Sequence, residues 1–359
     1  MKKIAFYISD HGFGHASRNI PIIKYILDAS NDIQIIVRTG KAQGEFMDAS
    51  LKIYNERIDY YLEKMDIGLV LKDNSLEIDK ERLNNEVKNY VASWNYRISK
   101  EKGFIKKNNI QLVVCDIVPW VIKACKFMGI NSILISNFTW FDIYKEYLSE
   151  EVCNVFMECY SLVSKAIFYE FYIKDMERYI NNFEKVSLCC RSFNVDKVKE
   201  IRSNFNKPIV FISVGCSVSL RNPIDVESLN YNFIATEGVA IKGENVYYLN
   251  RDVLNTQDYI MASDYIISKA GWSTIAETLM AKKKMAVISR SNIKEDRETL
   301  ESLLDKELVV EVKYNDKLSF QDILSNLKDL NIDNKYENFK NDFKMIGEKI
   351  ISYTRGEYR

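Results

Sequence analysis

The chain has 359 residues, of which 47% are apolar and 28% are charged, so it resembles an ordinary folded protein and not a disordered one. Its length exceeds the size at which one hydrophobic core stops growing, and we therefore expect two domains. Fifty basic side chains balance fifty acidic ones. This balance argues against a nucleic-acid-binding protein, which uses a positive field to attract phosphates.

Membrane and metal functions are also disfavoured. No stretch approaches the roughly 18 to 20 apolar residues that cross a bilayer, and the apolar run at the start ends at Ser9, too soon for a signal peptide. We expect at most peripheral membrane contact. The seven cysteines form no CxxC motif, and two histidines cannot complete a usual zinc site. We expect a cytoplasmic protein with reduced thiols, no metal and no cofactor.

The first half of the chain alternates short β-rich runs with helical patterns, which is typical of a parallel sheet covered by helices. The stretches 80–107 and 150–182 have helical periodicity. The other predicted elements are strands at 3–9, 32–39, 111–116, 131–136 and 186–190, and helices at about 17–30 and 120–128.

The second half repeats this pattern. We predict a first Rossmann-like domain at 1–190, a linker at 191–207, a second Rossmann-like domain at 208–335 and a helical tail at 336–359 that packs back on the first domain. The strands predicted in the second domain are 208–214, 245–249, 265–268 and 285–289.

The first βα loop is a candidate binding site. Residues 9–17 read SDHGFGHAS, with Gly12 and Gly14 in the loop and Ser17 as the expected N-cap of the helix. Backbone N–H groups and the positive end of the helix would then face an anion or a sugar oxygen. A tight βα turn explains the two glycines equally well, so this pattern alone decides nothing.

The two histidines make a stronger case. His11 and His15 are the only histidines of the chain, and both follow the carboxyl end of the first strand, where ligands of open α/β sheets bind. Imidazole can accept a proton from an attacking sugar hydroxyl. Asp116 ends another predicted strand and should orient the base from the same edge of the sheet. Capping the helix near Pro119 is an alternative role for Asp116, and the two roles are compatible.

A second motif lies at residues 268–277, which read SKAGWSTIAE. A strand ends, Gly271 permits a close turn, and a hydroxyl residue opens an apolar helix. Thr274 and Glu277 match a capping box, which requires no ligand. The functional hypothesis is that the helix N-terminus faces a diphosphate while Glu277 accepts hydrogen bonds from a ribose diol.

This motif, followed by the strand at 285–289, resembles the donor-binding signature of family 28 and family 1 glycosyltransferases, which include the N-acetylglucosamine transferase of peptidoglycan synthesis. Other segments are more similar still to the glycosyltransferase-like N-terminal region of plant arabinokinases. They are DHGFGHASR at 10–18, CDIVP at 115–119, SNFTW at 136–140, and Arg290 with Glu295. The matches run in order across residues 1–305 and imply the GT-B architecture, an α/β fold in which two Rossmann-like domains face a cleft.

The resemblance also implies roles for individual residues. His15 and Asp116 take the positions of a base and its orienting carboxylate. From the sequence itself, His11 is the alternative base or a sugar contact, and Asn137 and Trp140, just past a predicted strand end, are expected on the acceptor side. The implied donor-binding residues are Gly12, Gly14, Gly215, Cys216, Ser217, Lys269, Gly271, Trp272, Ser273, Thr274, Glu277, Arg290 and Glu295. One departure is Cys216, which replaces the second glycine of the usual Gly-Gly phosphate loop.

The implied function is an inverting, metal-independent transfer of a hexosyl or N-acetylhexosaminyl group. The donor is a nucleotide sugar, with UDP favoured, and the acceptor is a hydroxyl of a glycan, a lipid-linked sugar or a small molecule. A sugar-nucleotide epimerase or hydrolase and a non-catalytic nucleotide-sugar-binding module remain as alternatives. A kinase is disfavoured because the chain lacks a P-loop, and an NAD enzyme because the second strand ends at Arg38 and Thr39 without an acidic residue.

Overall fold

The computed structural model describes residues 1–72, 77–214, 224–290, 292–313 and 319–357. The chain forms two compact units. The first contains Met1–Cys189 together with Asn341–Arg359, and the second contains Cys190–Lys340.

The first unit is a parallel sheet with helices on both faces. Its elements are β1 (Lys2–Ile8), α1 (Gly14–Ala29), β2 (Ile33–Thr39), α2 (Lys41–Ser50), β3 (Ile58–Leu62), α3 (Lys80–Ala92), α4 (Trp94–Asn108), β4 (Ile110–Asp116), α5 (Pro119–Met128), β5 (Asn131–Ser136), α6 (Trp140–Tyr144), α7 (Glu150–Ser161), β6 (Lys165–Phe168) and β7 (Phe183–Lys185), with the last helix of the chain, Phe343–Arg355, added to them. Two 3₁₀ helices lie at Lys52–Arg57 and Lys174–Arg178.

The strand order of the first sheet is β3-β2-β1-β4-β5-β6-β7, and every pairing is parallel. The strand order reverses between β1 and β4, because the chain runs from β1 outward to β3 and then returns to β4 on the other side. The central strands are buried almost throughout, since helices cover both faces. The carboxyl ends of β1 and β4 therefore form the point at which ligands bind in open α/β sheets.

The second unit has the same plan. Its elements are α8 (Val195–Ser203), β8 (Ile209–Ser213), β9 (Ile224–Asp225), β10 (Asn232–Ala235), β11 (Ile241–Lys242), β12 (Val246–Tyr248), α9 (Thr256–Ala262), β13 (Tyr265–Lys269), α10 (Trp272–Met280), β14 (Lys284–Ser289), α11 (Lys294–Asp305), β15 (Val309–Lys313) and α12 (Phe320–Asp329), so that the helix Phe343–Arg355 is α13.

The main sheet of this unit has the order β12-β10-β8-β13-β14-β15 and is parallel, with its reversal between β8 and β13. Strands β9 and β11 form a separate parallel pair. The prediction of an α/β chain with two parallel-sheet domains is therefore confirmed.

Several local predictions differ from the structure. Helix α1 begins at Gly14, three residues before the predicted cap Ser17, and its N-cap residue Phe13 makes no side-chain capping bond. Only the first part of the predicted helical stretch 150–182 is an α-helix, which ends at Ser161. Strand β6 lies in the remainder. The last strand of the first sheet is β7, which ends at Lys185, before the predicted strand 186–190. Within that predicted strand, Leu188 forms only an isolated bridge.

The segment 191–207, which we predicted as a linker, contains helix α8 and belongs to the second unit. Its start is defined by Asn194, whose side chain accepts hydrogen bonds from the backbone of Asp196 and Lys197. The Asn194 N–H donates to Asp258 Oδ1 at 2.8 Å, which ties this helix to α9. The polar composition of the segment is that of a surface helix, not of a free connection.

The last helix packs on the first. The Tyr25 ring of α1 lies edge-on to Phe343, its hydroxyl donates to Glu348 at 2.8 Å, and Lys2 reaches the carbonyl of Thr354 at 3.2 Å. This is the packing that we predicted for the tail. No helix among the described residues is long and apolar enough to cross a membrane.

Two glycines in helices of the first unit test this packing. Gly103 of α4 has open space where a Cβ would lie, whereas a Cβ on Gly347 of α13 would lie 2.5 Å from Cδ1 of Tyr25. We expect Gly103→Ala to stabilise the unit by about 0.5–1 kcal/mol, because alanine is the better helix former. Gly347→Ala gains the same propensity but should lower the unfolding temperature, because the Tyr25 ring must move.

Calorimetric unfolding of the two variants measures the difference. Equal stabilisation by both substitutions would contradict the close contact between α1 and α13.

Candidate functional site

The loop after β1 is short. Gly12 has a positive φ of 83°, which favours glycine, and Gly14 is already the first residue of α1. His15 therefore lies in the first turn of the helix, whereas His11 lies in the loop. The first turn of the helix is closed by the Ser17 N–H, which donates to the carbonyl of Phe13 at 2.8 Å.

Asp116 is the centre of a buried polar cluster at the carboxyl ends of β1 and β4. Its Oδ1 lies 2.8 Å from Nδ1 of His15, and its Oδ2 accepts from Nδ2 of Asn19 at 2.7 Å. Arg18 binds both oxygens, with Nε at 2.7 Å from Oδ2 and Nη2 at 2.5 Å from Oδ1. All four side chains are buried. The structure thus brings together His15 and Asp116 as predicted from the sequence.

The charge of Asp116 is stabilised by its neighbours. Burial opposes ionisation of this carboxyl, but the Arg18 guanidinium and His15 outweigh the burial and hold its pKa well below its usual range. Because Arg18 already balances much of the carboxylate charge, Asp116 acts on His15 mainly by fixing the ring.

The proton position on His15 follows from two contacts of Nδ1. This nitrogen lies 2.8 Å from Asp116 Oδ1 and 3.0 Å from Nη2 of Arg18. As an N–H it donates to Asp116, and Nε2 then carries the lone pair that can accept a proton. As an acceptor it takes a bond from Arg18, and Nε2 then carries a proton. Arg18 therefore bears directly on whether His15 can act as a base.

Sequence reasoning missed the role of Arg18 because its partners come from two segments that lie about 100 and 120 residues further along the chain. Besides Asp116, its Nη1 donates to Oδ1 of Asn137 at 2.7 Å, and its Nη2 lies 3.3 Å from Oγ of Ser136. The available signal was a charged residue three positions after His15, on the same face of a largely apolar helix. Asn137 is thus buried in this cluster, where it orients Arg18.

Trp140, the other residue expected on the acceptor side, is in the interior. It is 1% exposed, and its Nε1 donates to Oδ2 of Asp66 at 2.9 Å. Its ring stacks on Tyr144 at 5.2 Å between centroids. The expectation that Trp140 faces an acceptor is corrected here, because the neighbouring aromatic side chains cover the ring.

His11 lies beside this buried region. Its ring meets the edge of Trp140 at 5.5 Å and lies against Gly68, where a Cβ would come within 2.1 Å of Nδ1. Next to it, Oδ1 of Asp10 accepts the N–H of Asp66 at 3.1 Å. Burial, followed by the charge of Asp10, raises the pKa of Asp66. We did not predict this carboxyl pair, although Asp10 directly follows the first strand.

In the second unit the predicted motif opens α10 at the carboxyl end of β13, beside the reversal of the sheet. Gly271 is the N-cap, and no side-chain capping bond forms. Glu277 is therefore not half of a capping box. Its carboxylate binds Arg191, whose Nε and Nη2 both lie 2.9 Å from Oε1. Arg191 carried no signal in the sequence.

The other predicted donor residues have mixed environments. Trp272 is buried in α10, so its ring packs in the core. Arg290 pairs with the buried Asp296 through Nε at 2.5 Å, and Glu295 lies half-buried in the first turn of α11. Lys269, Gly271, Ser273 and Thr274 are half-buried around the start of α10. Gly215, Cys216 and Ser217 lie outside the described residues.

Solved structures with the same fold cover nearly the whole chain. The calicheamicin glycosyltransferase CalG4 matches over 100% of both chains with a TM-score of 0.65 and 11% identity. Arabidopsis thaliana UGT89C1 complexed with UDP matches over 99% of this chain and 96% of its own, with a TM-score of 0.62 and 11% identity. The chain has the GT-B fold. Phytolacca americana UGT2, complexed with UDP-2fluoro-glucose and pterostilbene, covers 99% of this GT-B chain and 94% of its own, with a TM-score of 0.61 and 11% identity.

The predicted sequence resemblance of the GT-B chain is also confirmed. L-arabinokinase of Arabidopsis thaliana is 25% identical over 307 residues, which are 81% of this chain and 28% of the arabinokinase. The chain thus spans less than a third of that relative. No protein-family model matches the chain. Within the described ranges, no group of three or more His, Cys, Asp or Glu side chains could hold a metal ion.

The charge of Asp116 should dominate the stability of the first unit of the GT-B chain. Asp116→Asn leaves the buried guanidinium of Arg18 without its counter-ion, and we expect a loss of about 3–5 kcal/mol. Asp175→Asn removes a partly exposed ion pair with Lys145 and should cost about 1 kcal/mol or less.

The stability difference between wild type and Asp116→Asn should depend on pH. Because the folded pKa of Asp116 lies below its unfolded value of about 4, its contribution is complete above about pH 5 and is lost as the pH falls through the folded pKa. Denaturant unfolding at pH 7 and pH 3 should show a smaller gap between wild type and Asp116→Asn at pH 3. A gap that widens on acidification would contradict the assigned charge.

Proposed function

We propose that the chain is an inverting glycosyltransferase that moves a sugar from a nucleotide-sugar donor, with UDP favoured, to an acceptor hydroxyl. The observation that carries this proposal is the buried His15–Asp116 pair at the strand reversal of a GT-B first unit. The UDP complexes among the fold neighbours support the choice of donor.

The proposed step uses His15 as the base. With Nδ1–H held on Asp116, Nε2 accepts the proton of the acceptor hydroxyl while the acceptor oxygen bonds to the anomeric carbon. The bond from that carbon to the diphosphate oxygen breaks, and its electron pair leaves with the nucleoside diphosphate. Attack from the side opposite the leaving group inverts the configuration.

The second unit is proposed to hold the donor. The amide groups at the start of α10 and the side chain of Lys269 stand at the carboxyl edge of the sheet, where they would stabilise the departing diphosphate. The proposal requires neither a metal ion nor a cofactor. The proposal covers donors that carry a hexosyl or an N-acetylhexosaminyl group. The proposed acceptor is a hydroxyl of a glycan, a lipid-linked sugar or a small molecule.

The two histidines provide a matched pair of variants. We expect His15→Asn to lower kcat for transfer by about 10²–10⁴-fold, because a general base contributes on that order. UDP affinity should not change. His11→Asn alters the loop just before α1, four residues away, where no contact with Asp116 is made, and it should cost far less. UDP release, measured together with the glycosylated product, provides the rate.

If His11→Asn lowered kcat more than His15→Asn, His11 and not His15 would be the general base.

Metal independence has its own test. Exhaustive dialysis against EDTA should leave the transfer rate unchanged, because protein groups stabilise the leaving diphosphate in this proposal. Rates are compared before dialysis, after dialysis and after addition of Mg²⁺ or Mn²⁺. Activity that disappears on dialysis and returns with either ion would show that a metal takes part.

A sugar-nucleotide hydrolase or epimerase is the second candidate. The observation that favours it is the Asp10–Asp66 carboxyl pair beside His11, a further acid–base group on the same sheet edge. Product analysis without acceptor distinguishes it, because a hydrolase releases free sugar and an epimerase returns an altered donor. Nucleotide-sugar binding without any turnover would instead indicate a non-catalytic binding module.

A further inference from the structure

The ion pair between Arg191 and Glu277 is asymmetric. Glu277 is 4% exposed, and both contacting nitrogens of Arg191, Nε and Nη2, lie 2.9 Å from the same oxygen, Oε1. The other oxygen, Oε2, has no hydrogen-bond partner among the residues that the structure describes. A carboxylate can accept on both oxygens. The protein therefore occupies one oxygen of this carboxylate, and the other oxygen can accept a further donor.

Arg191 is itself held in place by other contacts. Its Nη1 donates to the carbonyl of Leu254 at 2.5 Å, and its Nη2 donates to Oγ1 of Thr256 at 3.0 Å. Leu254 precedes α9, and Thr256 is its first residue, whereas Glu277 belongs to α10. One guanidinium thus joins the start of α9 and the body of α10 at the carboxyl edge of the sheet. The direction of the Glu277 carboxylate is set by this arrangement.

The charge of Arg191 also acts on Glu277. Burial raises the pKa of the Glu277 carboxyl, and the nearby guanidinium opposes that rise. Replacing Arg191 by a neutral residue would leave the burial unopposed and raise the pKa further. Glu277 would then bind a proton more readily and accept hydroxyl hydrogen bonds less well.

We propose that Arg191 is a positioning residue for nucleotide recognition, which occupies Oε1 of Glu277 and presents Oε2 to the ribose hydroxyls of the donor. This inference rests on the proposed function. A ligand diol supplies two O–H donors, and a carboxylate whose orientation is fixed by a guanidinium accepts them without reorganisation. The site should therefore distinguish a ribonucleotide from its 2′-deoxy analogue, and Arg191 should be required for this preference although it need not touch the ligand.

The experiment compares UDP with 2′-deoxy-UDP by calorimetry in the full chain. Wild type should prefer UDP by about tenfold to a hundredfold, since one hydrogen bond to a charged group is lost in the analogue. Arg191→Gln should lose most of this preference at pH 7, and should regain part of it as the pH rises and Glu277 ionises. Arg191→Lys retains the positive charge and should keep more of the preference, without that pH dependence.

The matched control is Arg202→Gln. Arg202 lies on α8 of the same unit, and its ion pair is with Asp264 and not with Glu277. Its variant should retain the full preference for UDP. Thermal unfolding of every variant is recorded, and Arg191→Lys provides the test if Arg191→Gln does not fold.

The outcomes separate the inference from the function on which it rests. If wild type prefers UDP and Arg191→Gln keeps the same preference, the role of Arg191 is wrong and the donor assignment stands. An equal loss of affinity for both nucleotides in Arg191→Gln would show a structural role only and would overturn the inference. If wild type binds neither nucleotide, the proposed function itself is wrong and the inference is lost with it.

Discussion

A single buried negative charge organises the candidate catalytic site. Asp116 stands at the end of β4, and His15, Arg18 and Asn19 all reach it from the first turns of α1. Such a charge is tolerated in the interior only when donors surround it, and here a guanidinium and an amide supply most of them. This cluster holds the first turns of α1, and therefore the histidine at its start, against the end of β4.

The second unit also contains a buried carboxylate that is neutralised by an arginine. Glu277 is a buried carboxylate paired with one arginine, and again the arginine comes from a different segment of the chain. The two pairs differ in how much of the carboxylate is occupied. Asp116 receives donors on both oxygens, which suits a group that holds another side chain. Glu277 receives its donors on one oxygen, which suits a group that also accepts a ligand.

The sequence predicted strands better than it predicted side-chain partners. Runs such as 131–136 are buried on both sides and flanked by turn residues, so local pattern is enough to locate β5. The start of α1 was misplaced because Ser17 is a favoured cap, whereas backbone contacts begin the helix at Gly14. Trp140 was misjudged because its indole N–H is bound by Asp66, which lies far away in the sequence, while Tyr144 of the same short helix stacks on its ring. Arg18 and Arg191 could not be assigned because ion pairing is decided by the tertiary fold.

The chain leaves the first unit and returns to it through two neighbouring segments. The chain leaves this unit at Cys189 and returns at Asn341. Around these points Leu188 bridges to Asn341, and the Ser187 N–H donates to Asp342 at 2.7 Å. The exit and the return therefore lie side by side, so that in topological terms the second unit is an insertion into a loop of the first. In a chain of this kind, the inserted unit can be exchanged for another without altering the fold of the first unit.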